Sequence, residues 1–254
     1  MRTGTSSQPQ ETADYREEIA REKEELSALW SVRDARTEDT EAVAEILAES
    51  FPGLYRAVFG ALGTEEVVWL LTALYEEGIL SLDAMRVYER GGRVVGLAAL
   101  HTDAPLAHGS LRRYWNILCR ELEWQGAPRA FFGGLATYLF LTRRLPQAPD
   151  LVYIKTLAVA AAERGQGIGT RLLEDAARWT LAQGRTYLAL NVLHSNTGAR
   201  RLYARTGFQP WQSDSYRSLS HRLLARFRPD WAGLLLRCRA EDLLAAAQKK
   251  TEPL

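Results

Sequence analysis

The order of strand-like and helix-like segments predicts an α/β protein. Strand-like runs at 85–90 and 93–102 flank a pair of glycines, which is typical of a β-hairpin with a two-residue turn. Thr37, Glu38 and Asp39 give a helix-start signal before an apolar helical pattern. An apolar run at 151–159 leads through a glycine-rich turn into another helix. Strands and helices therefore both contribute to the predicted fold.

The composition bounds the class of protein. The chain has 254 residues, of which 46% are hydrophobic and 25% charged, so it can bury a sizeable core. With 32 basic and 31 acidic side chains, no strong field favours nucleic acid or an anionic membrane as a partner. Cys119 and Cys238 form neither a disulfide framework nor a zinc motif, so we expect no metal and a cytoplasmic location. The N-terminus lacks the apolar run of a secretory signal.

Four segments divide the chain. Residues 1–12 are polar and are predicted to be a disordered tail, and 246–254 a C-terminal tail. Residues 13–30 predict a helix with a thin apolar stripe, which packs on the main domain or on a second subunit and leaves a homodimer open. The main domain is predicted at 31–245. Helix-like patterns at about 103–150 indicate a helical insertion between its third and fourth strands.

The second half of the domain is predicted to alternate strands and helices. We expect a helix from Thr170 to about Gln183, a strand at 186–193, a helix at 197–206, a strand beginning at Phe208 and a last strand at 231–240. Gly184 and Gly207 follow the two helices, as C-terminal capping residues do.

The glycine-rich turn at 164–169 has the features of an anion site. Glycines at 165, 167 and 169 allow a tight turn and a close approach of the backbone to a ligand. Amides at the start of the following helix are unpaired within the helix, and the helix dipole adds positive potential. Together they suit a pyrophosphate, and Arg164 would add a charge-assisted contact.

Other glycine-rich motifs fit this turn less well. A P-loop requires Lys-Ser or Lys-Thr directly after its last glycine, and neither is present. A dinucleotide fingerprint requires a third glycine where Thr170 stands and an acidic residue in the next strand, and 187–193 has none. A plain structural turn remains the alternative for the loop considered alone.

A second motif, NTGARRLYARTGF at 196–208, follows about 30 residues later. Together the two segments resemble the GNAT superfamily of acyl-CoA-dependent N-acyltransferases. The phosphate-loop pattern Arg/Gln-x-x-Gly-x-Gly/Ala is matched by Arg164, Gly167 and Gly169. The later pattern Asn-x-x-Ala-x-x-Leu-Tyr-x-x-x-Gly-Phe is matched by Asn196, Ala199, Leu202, Tyr203, Gly207 and Phe208.

The resemblance implies a mixed sheet that is flanked by helices and splays open at its centre, and it implies acetyl-CoA as co-substrate. The strand segment Leu157, Ala158 and Val159 would bind the pantetheine arm in the opening. The pyrophosphate would be held by backbone amides of the turn, which are those of Gly165, Gln166, Gly167, Ile168, Gly169 and Thr170. Asn196 would lie near the thioester, and Tyr203 would be the general acid that protonates the departing thiolate.

The general base has no obvious candidate. Family members often place a carboxylate or histidine on the strand before the loop, where this chain has Tyr153 and Lys155. Strand alternation predicts that both share one face with Leu157 and would contact the acceptor. We therefore favour a catalytic water relayed through Asn191 or backbone carbonyls. Lys155 either holds an acidic acceptor or is a solvated lysine.

Several aromatic and histidine side chains have two interpretations each. Trp115, Trp124, Phe131, Phe132 and Tyr138 of the insertion either wall an acceptor pocket or pack in a core. His101 and His194 end predicted strands, where acceptor-site, surface and capping roles all occur.

Two functions follow from these patterns. One is an N-acetyltransferase acting on a small-molecule or peptide amine, with a protein N-terminus, a lysine, a polyamine, an amino acid and an antibiotic as candidate acceptors. The other is a non-catalytic acyl-CoA sensor or scaffold. An intact Tyr203 and Asn196 favour the enzyme, and the missing base favours the sensor.

Overall fold

A seven-stranded sheet forms the centre of the fold. The computed structural model describes residues 30–60, 62–101, 111–122, 126–142 and 148–211 together with 233–249. The strand order is β1-β2-β3-β4-β5-β7-β6, and every neighbouring pair is antiparallel except β4 and β5. The strands are β1 (Trp30–Asp34), β2 (Met85–Arg90), β3 (Arg93–His101), β4 (Leu151–Val159), β5 (Tyr187–Leu193), β6 (Gln209–Pro210) and β7 (Gly233–Arg239).

Helices cover the sheet, which confirms the predicted mixed α/β fold. They are α1 (Thr40–Ser50), α2 (Pro52–Phe59), α3 (Thr64–Glu76), α4 (Leu111–Glu121), α5 (Gly126–Thr142), α6 (Ile168–Ala182), α7 (Thr197–Arg205) and α8 (Ala240–Gln248). The α4 and α5 helices lie between β3 and β4, where helical segments were predicted. The sequence did not indicate α2 or α8 as separate helices. The predicted tail at 1–12 and residues 13–29 of the predicted helix lie outside the described residues.

The two faces of the sheet carry different helices. One face, which we call the α6 face, buries a cluster formed by α6, α7 and α8 against β3, β4, β5 and β7. On the opposite face, α1 to α5 bury a second cluster against β2 and β3. A third, smaller cluster on that opposite face consists of Leu151, Tyr153, Ala189 and Leu235. These four residues alternate along their strands with residues of the α6-face cluster, so they point the other way.

Ion pairs attach the helices to the first strands. Arg33 of β1 donates two hydrogen bonds to Asp39, of 2.7 and 2.9 Å, just before α1 begins. This contact lowers the pKa of the Asp39 carboxyl. On the α6 face, Arg86 of β2 donates from Nε to Oδ2 of Asp175 at 2.7 Å. The α6 helix is therefore held to the sheet by charge as well as by apolar packing.

Crossing a bilayer requires a helix that is both long and apolar. No single helix among the described residues meets both requirements, and α2 and α3 meet them only as a pair bent by 77°.

Candidate active site

The sheet opens between its two parallel strands. The β4 strand pairs with β5 only from Leu151 to Ile154. Beyond that point β4 stays paired with β3 as far as Val159, while β5 stays paired with β7 as far as Leu193. The two strands therefore separate after Ile154 and leave a gap in the middle of the sheet, which is the splay that the family resemblance implied.

A β-bulge lies at the start of the gap. Ile154 pairs with Leu100 and Thr156 with Ala99, so Lys155 is the extra residue in β4. A bulge reverses the alternation of side chains beyond it. Accordingly Leu157 packs in the α6-face cluster, whereas Tyr153 lies in the cluster on the opposite face. The prediction that Tyr153, Lys155 and Leu157 share one face is therefore wrong, because strict alternation does not hold across a bulge.

Backbone groups of β4 line the gap beyond the bulge. The amide of Ala160 donates to Val95 of β3 at 3.0 Å. Since alternate residues of a strand direct their backbone groups to opposite neighbours, Ala158 also faces β3, while Leu157 and Val159 face the gap. The predicted pantetheine contacts thus fall on Leu157 and Val159, and the Ala158 backbone is turned away. The carbonyl of Val159 already accepts a 2.9 Å hydrogen bond from Nε of Arg164.

The glycine-rich turn presents amides at one end of this gap. Gly165 and Gly167 have φ values of 83° and 82°, in the left-handed region that favours glycine. Gly167 is the N-cap of α6, so the amides of Ile168 and Gly169 have no carbonyl partner within the helix. The Thr170 amide donates to the Gly167 carbonyl at 2.9 Å, which leaves it less available to an anion than the sequence suggested.

Contacts with α1 and β4 fix the position of this turn. The Arg164 guanidinium also donates to Oγ of Ser50 at 3.3 Å, and the Ala161 amide donates to Oε2 of Glu49 at 2.9 Å. Arg164 was expected to contact the pyrophosphate. In the structure its hydrogen bonds hold the turn to the end of β4 and to α1, and a contact with the pyrophosphate stays a prediction.

The Gln166 side chain is likewise engaged within the protein. Its Nε2 donates to Oε2 of Glu163 at 3.1 Å, and its Oε1 accepts from Arg90 of β2. Arg90 also pairs with Glu163 at 3.1 Å. This leaves the backbone amide of Gln166 for the predicted contact with an anion.

The two sequence motifs meet where α6 and α7 begin to pack. An added Cβ at Gly169 would lie 3.0 Å from Cδ2 of Leu202, so α7 approaches the first turn of α6 closely. Oδ1 of Asn196 accepts a 3.0 Å hydrogen bond from the Ala199 amide and caps α7. The motif asparagine thus fixes the start of α7, and its other predicted role, near the thioester, stays a prediction.

Tyr203 of α7 lies in the same buried cluster as Leu157. Only 7% of the Tyr203 surface is exposed. Its ring contacts the Phe208 ring edge-on, with 5.6 Å between the ring centroids. Burial raises the pKa of Tyr203 to about 12 because the phenolate would be poorly solvated. The hydroxyl therefore keeps its proton at neutral pH, as a general acid must.

Several polar side chains lie near the gap on the face of the sheet opposite the α6 face. His101 of β3 is paired with Tyr153, and Tyr153 is paired with Ala189 of β5. Lys155 and Asn191 are both exposed, and they follow the last paired residues of β4 and β5. Tyr153, Lys155 and Asn191 therefore border the gap from this side, and their predicted roles in acceptor binding and proton relay stay predictions.

Arg237 is a residue of this face that sequence reasoning missed. It stands in β7 opposite Ala189, and its guanidinium lies 4.5 Å from the Tyr187 ring and 4.8 Å from the Trp211 ring. No local pattern distinguished Arg237 from the other arginines, because only strand pairing brings it to this cluster.

The aromatic residues of α4 and α5 form a cluster of their own. Phe131 contacts Tyr114, Trp115 and Phe132, with ring centroids 5.4 to 5.7 Å apart. Phe131 packs against the core of α1 to α5, whereas Phe132 is exposed. Trp124 and the side chain of Tyr138 lie outside the described residues. His194 is exposed after β5, and its carbonyl accepts from Arg200.

An opened mixed sheet, an amide-lined turn and a buried tyrosine on the helix after β5 together define a GNAT-type protein. The family model described as the Acetyltransferase (GNAT) family matches residues 40–208, and the chain belongs to this family. A curated relative, N-alpha-acetyltransferase 40 of Saccharomyces cerevisiae, is 45% identical over 65 residues, which are 23% of this chain and 23% of that protein. The match thus spans less than a quarter of the length of that relative.

Solved structures are similar in fold. The crystal structure of an acetyltransferase matches with a TM-score of 0.51 and 23% identity over 83% of this chain and 99% of that chain. An N-acetyltransferase from Staphylococcus aureus Mu50 matches with a TM-score of 0.50 and 19% identity over 82% of this chain and 99% of that chain. At these identities the likeness shows the fold alone.

Proposed function

We propose that this protein transfers an acetyl group from acetyl-CoA to the amine of a small molecule or peptide, by direct attack of the amine on the thioester. The observation on which the proposal rests is the gap after Ile154, where β4 presents backbone groups that β5 does not pair. An extended pantetheine arm has amides that can pair with such a strand edge.

The cofactor would enter from the α6 face. The pyrophosphate would meet the amides between Gly165 and Gly169 and the positive end of the α6 dipole. From there the pantetheine arm would run along Leu157 and Val159 toward the bulge. This path leads past the buried cluster that contains Tyr203, which is where the thiolate would leave.

The acceptor amine would approach from the opposite face, past Tyr153, Lys155 and Asn191. Cofactor and acceptor would then meet in the gap without competing for the same side of the sheet. The yeast relative is named an N-alpha-acetyltransferase, which supports an α-amine, such as that of a peptide, among the acceptors. Lys155 and Arg237 give this face a positive character that suits an acceptor bearing a carboxylate.

The chemistry uses groups at both faces. A water held at Asn191 removes the proton of the ammonium, and the neutral amine attacks the thioester carbonyl. The Leu157 amide, which faces the gap, stabilises the oxyanion. The carbon–sulfur bond then breaks, and Tyr203 donates its proton to the thiolate. The new amide nitrogen loses its extra proton to water, and Tyr203 regains a proton from water.

A second candidate is a sensor that binds acyl-CoA without turnover. The observation in its favour is that the three residues bordering the gap on the acceptor side, Tyr153, Lys155 and Asn191, include no carboxylate or imidazole, and His101 lies one strand further away, in β3. Such a protein would use the same turn and gap to bind the cofactor but would release no thiol.

Calorimetric titration with acetyl-CoA, with dephospho-CoA and NAD as comparison ligands, tests the cofactor proposal. We expect selective binding of acetyl-CoA, and no binding would overturn the proposal. Amine libraries screened for thiol release then separate the two candidates. Release that depends on an amine and falls in Tyr203→Phe supports the enzyme, whereas tight binding with no release for any amine supports the sensor.

A further inference from the structure

The lysines of this chain are few and unevenly placed. The sequence contains 28 arginines but only four lysines. Three of these, Lys23, Lys249 and Lys250, lie near the ends of the chain, and the fourth is Lys155. The single lysine between residues 24 and 248 therefore stands in β4, where the sheet opens.

The backbone at Lys155 is set apart from both neighbouring strands. Lys155 is the bulged residue relative to β3, and the pairing with β5 has ended one residue earlier. Its side chain is exposed at the gap, on the side from which the acceptor would approach. The amine of Lys155 is thus carried on the side of the gap where an acceptor amine is needed.

The surroundings of Lys155 favour an uncharged amine. The side chain reaches solvent, yet the walls of the gap desolvate the ammonium enough to lower its pKa below the usual value. Desolvation is the whole cause of this shift, without a contribution from a charged neighbour in the described part of the chain. Only the neutral amine is nucleophilic, so a lowered pKa increases the reactive fraction.

We propose that Lys155 is an acyl acceptor of this protein itself, so that acetyl-CoA bound in the gap acetylates Nζ of Lys155 when no other amine is present. This inference rests on the proposed function, because it uses the same cofactor and the same general acid. It goes beyond that function by assigning a site of covalent self-modification.

The distances within β4 allow the transfer. The oxyanion would lie at the Leu157 amide, two residues from Lys155, and two residues of a strand span about 6.6 Å. The four-carbon stem of a lysine covers a similar distance and is flexible. The amine can therefore reach a carbonyl held at Leu157 without any movement of the strand.

The transfer balances in atoms and protons. The neutral Nζ attacks the thioester carbonyl carbon, a carbon–nitrogen bond forms, and the carbon–sulfur bond breaks. The thiolate takes a proton from Tyr203, the new amide nitrogen loses its extra proton to water, and Tyr203 regains a proton from water. The products are free CoA and an uncharged acetyl-lysine, which fills the acceptor side of the gap and would slow further turnover.

The test uses the full chain and acetyl-CoA with a deuterated acetyl group, in the absence of any other amine. Peptide mapping by mass spectrometry measures the labelling rate at each lysine. Lys249 is exposed at the end of α8, so it reports uncatalysed acylation within the same sample. We expect Lys155 to be labelled about 10²-fold faster than Lys249, because the bound thioester is held beside it.

Two variants sharpen the result. Lys155→Arg keeps the charge but accepts no acetyl group, so the fast label should disappear, while Lys249→Arg should leave it unchanged. Tyr203→Phe should slow labelling at Lys155 but not at Lys249. If acetyl-CoA binds by calorimetry and Lys155 is labelled no faster than Lys249, self-acetylation is overturned while the proposed function stands. If acetyl-CoA does not bind, both proposals fail.

Discussion

The side-chain amide of Asn191 lies directly over Gly233. A Cβ added at residue 233 would be 2.5 Å from Oδ1 and 3.0 Å from Nδ2 of Asn191, closer than atoms in contact can approach. Asn191 is paired with Leu235 in the next strand, and Gly233 is paired with Leu193. Because Gly233 has no side chain, the Asn191 amide can occupy this space at the start of β7. The glycine therefore sets the orientation of the Asn191 side chain at the gap.

Gly233→Ala is expected to displace Asn191 and to reduce turnover about 10- to 100-fold, since small misplacements of catalytic groups have effects of this size. Acetyl-CoA affinity should stay unchanged, because the glycine-rich turn is untouched. Steady-state kinetics and calorimetry measure the two quantities. Gly53→Ala in α2 is the control, since a Cβ there meets nothing within 4 Å. Unchanged turnover in Gly233→Ala would remove Asn191 from the mechanism.

Tyr203→Phe is expected to lower turnover about 10²- to 10⁴-fold, because it removes the proton donor for the thiolate. Acetyl-CoA binding should remain near normal, since the ring keeps its packing against Phe208. Tyr75→Phe is the matched control, a tyrosine whose pKa burial also raises to about 12 but which packs among α1 to α5. Equal turnover in the Tyr203 and Tyr75 variants would contradict the assignment.

The pH dependence of turnover should reflect the raised pKa of Tyr203. The protonated tyrosine is the active form, and with a pKa of about 12 it stays protonated up to about pH 11. An unperturbed tyrosine would be half deprotonated at about pH 10. We therefore expect no alkaline loss of kcat up to about pH 10 in the wild type. A decline centred near pH 10 would show that the acid is a more exposed group.

Gly167→Asp is expected to weaken acetyl-CoA binding, since it places a negative charge at the amides that would hold the pyrophosphate. Gly184→Asp provides a matched control at the other end of α6. Both glycines have positive φ, 82° and 69°, and a Cβ at either would meet nothing within 4 Å. The two variants therefore introduce similar backbone strain, and calorimetry should show a loss of affinity in Gly167→Asp alone. Equal losses would mean that strain, not the anion site, is responsible.

Gly133→Ala is expected to destabilise the fold by about 1–3 kcal/mol through overpacking. A Cβ at Gly133 of α5 would overlap the backbone carbonyl of Val58 in α2, and backbone atoms cannot move aside easily. Gly126→Ala in the same helix is the control. A Cβ at Gly126 would lie 3.6 and 3.9 Å from side-chain atoms of Leu122, which are ordinary contact distances. Urea denaturation measures both free energies of unfolding. Equal stability of the two variants would show that α2 and α5 can separate without cost.

Local sequence patterns located most of the fold. The β2–β3 hairpin was predicted from its two glycines, which have φ values of 55° and 75° in the structure. Likewise β4 was predicted at its observed bounds, and α6 and α7 to within about two residues. These features depend on backbone freedom, capping and periodicity over short stretches, so a single sequence contains the information. The α8 helix was missed, although its run of Ala and Leu favours a helix.

The sequence by itself determined the glycine-rich turn, the capped helix with Tyr203 and the family to which both belong, because each is a local pattern of residues. Tertiary structure decided the rest of the site. The bulge that turns Leu157 away from Tyr153, the partners of Arg164 and the space that Gly233 leaves for Asn191 all depend on which distant strands and helices pair. Pairing of that kind is set by the packing of the whole chain, so it cannot be predicted from a short stretch of sequence.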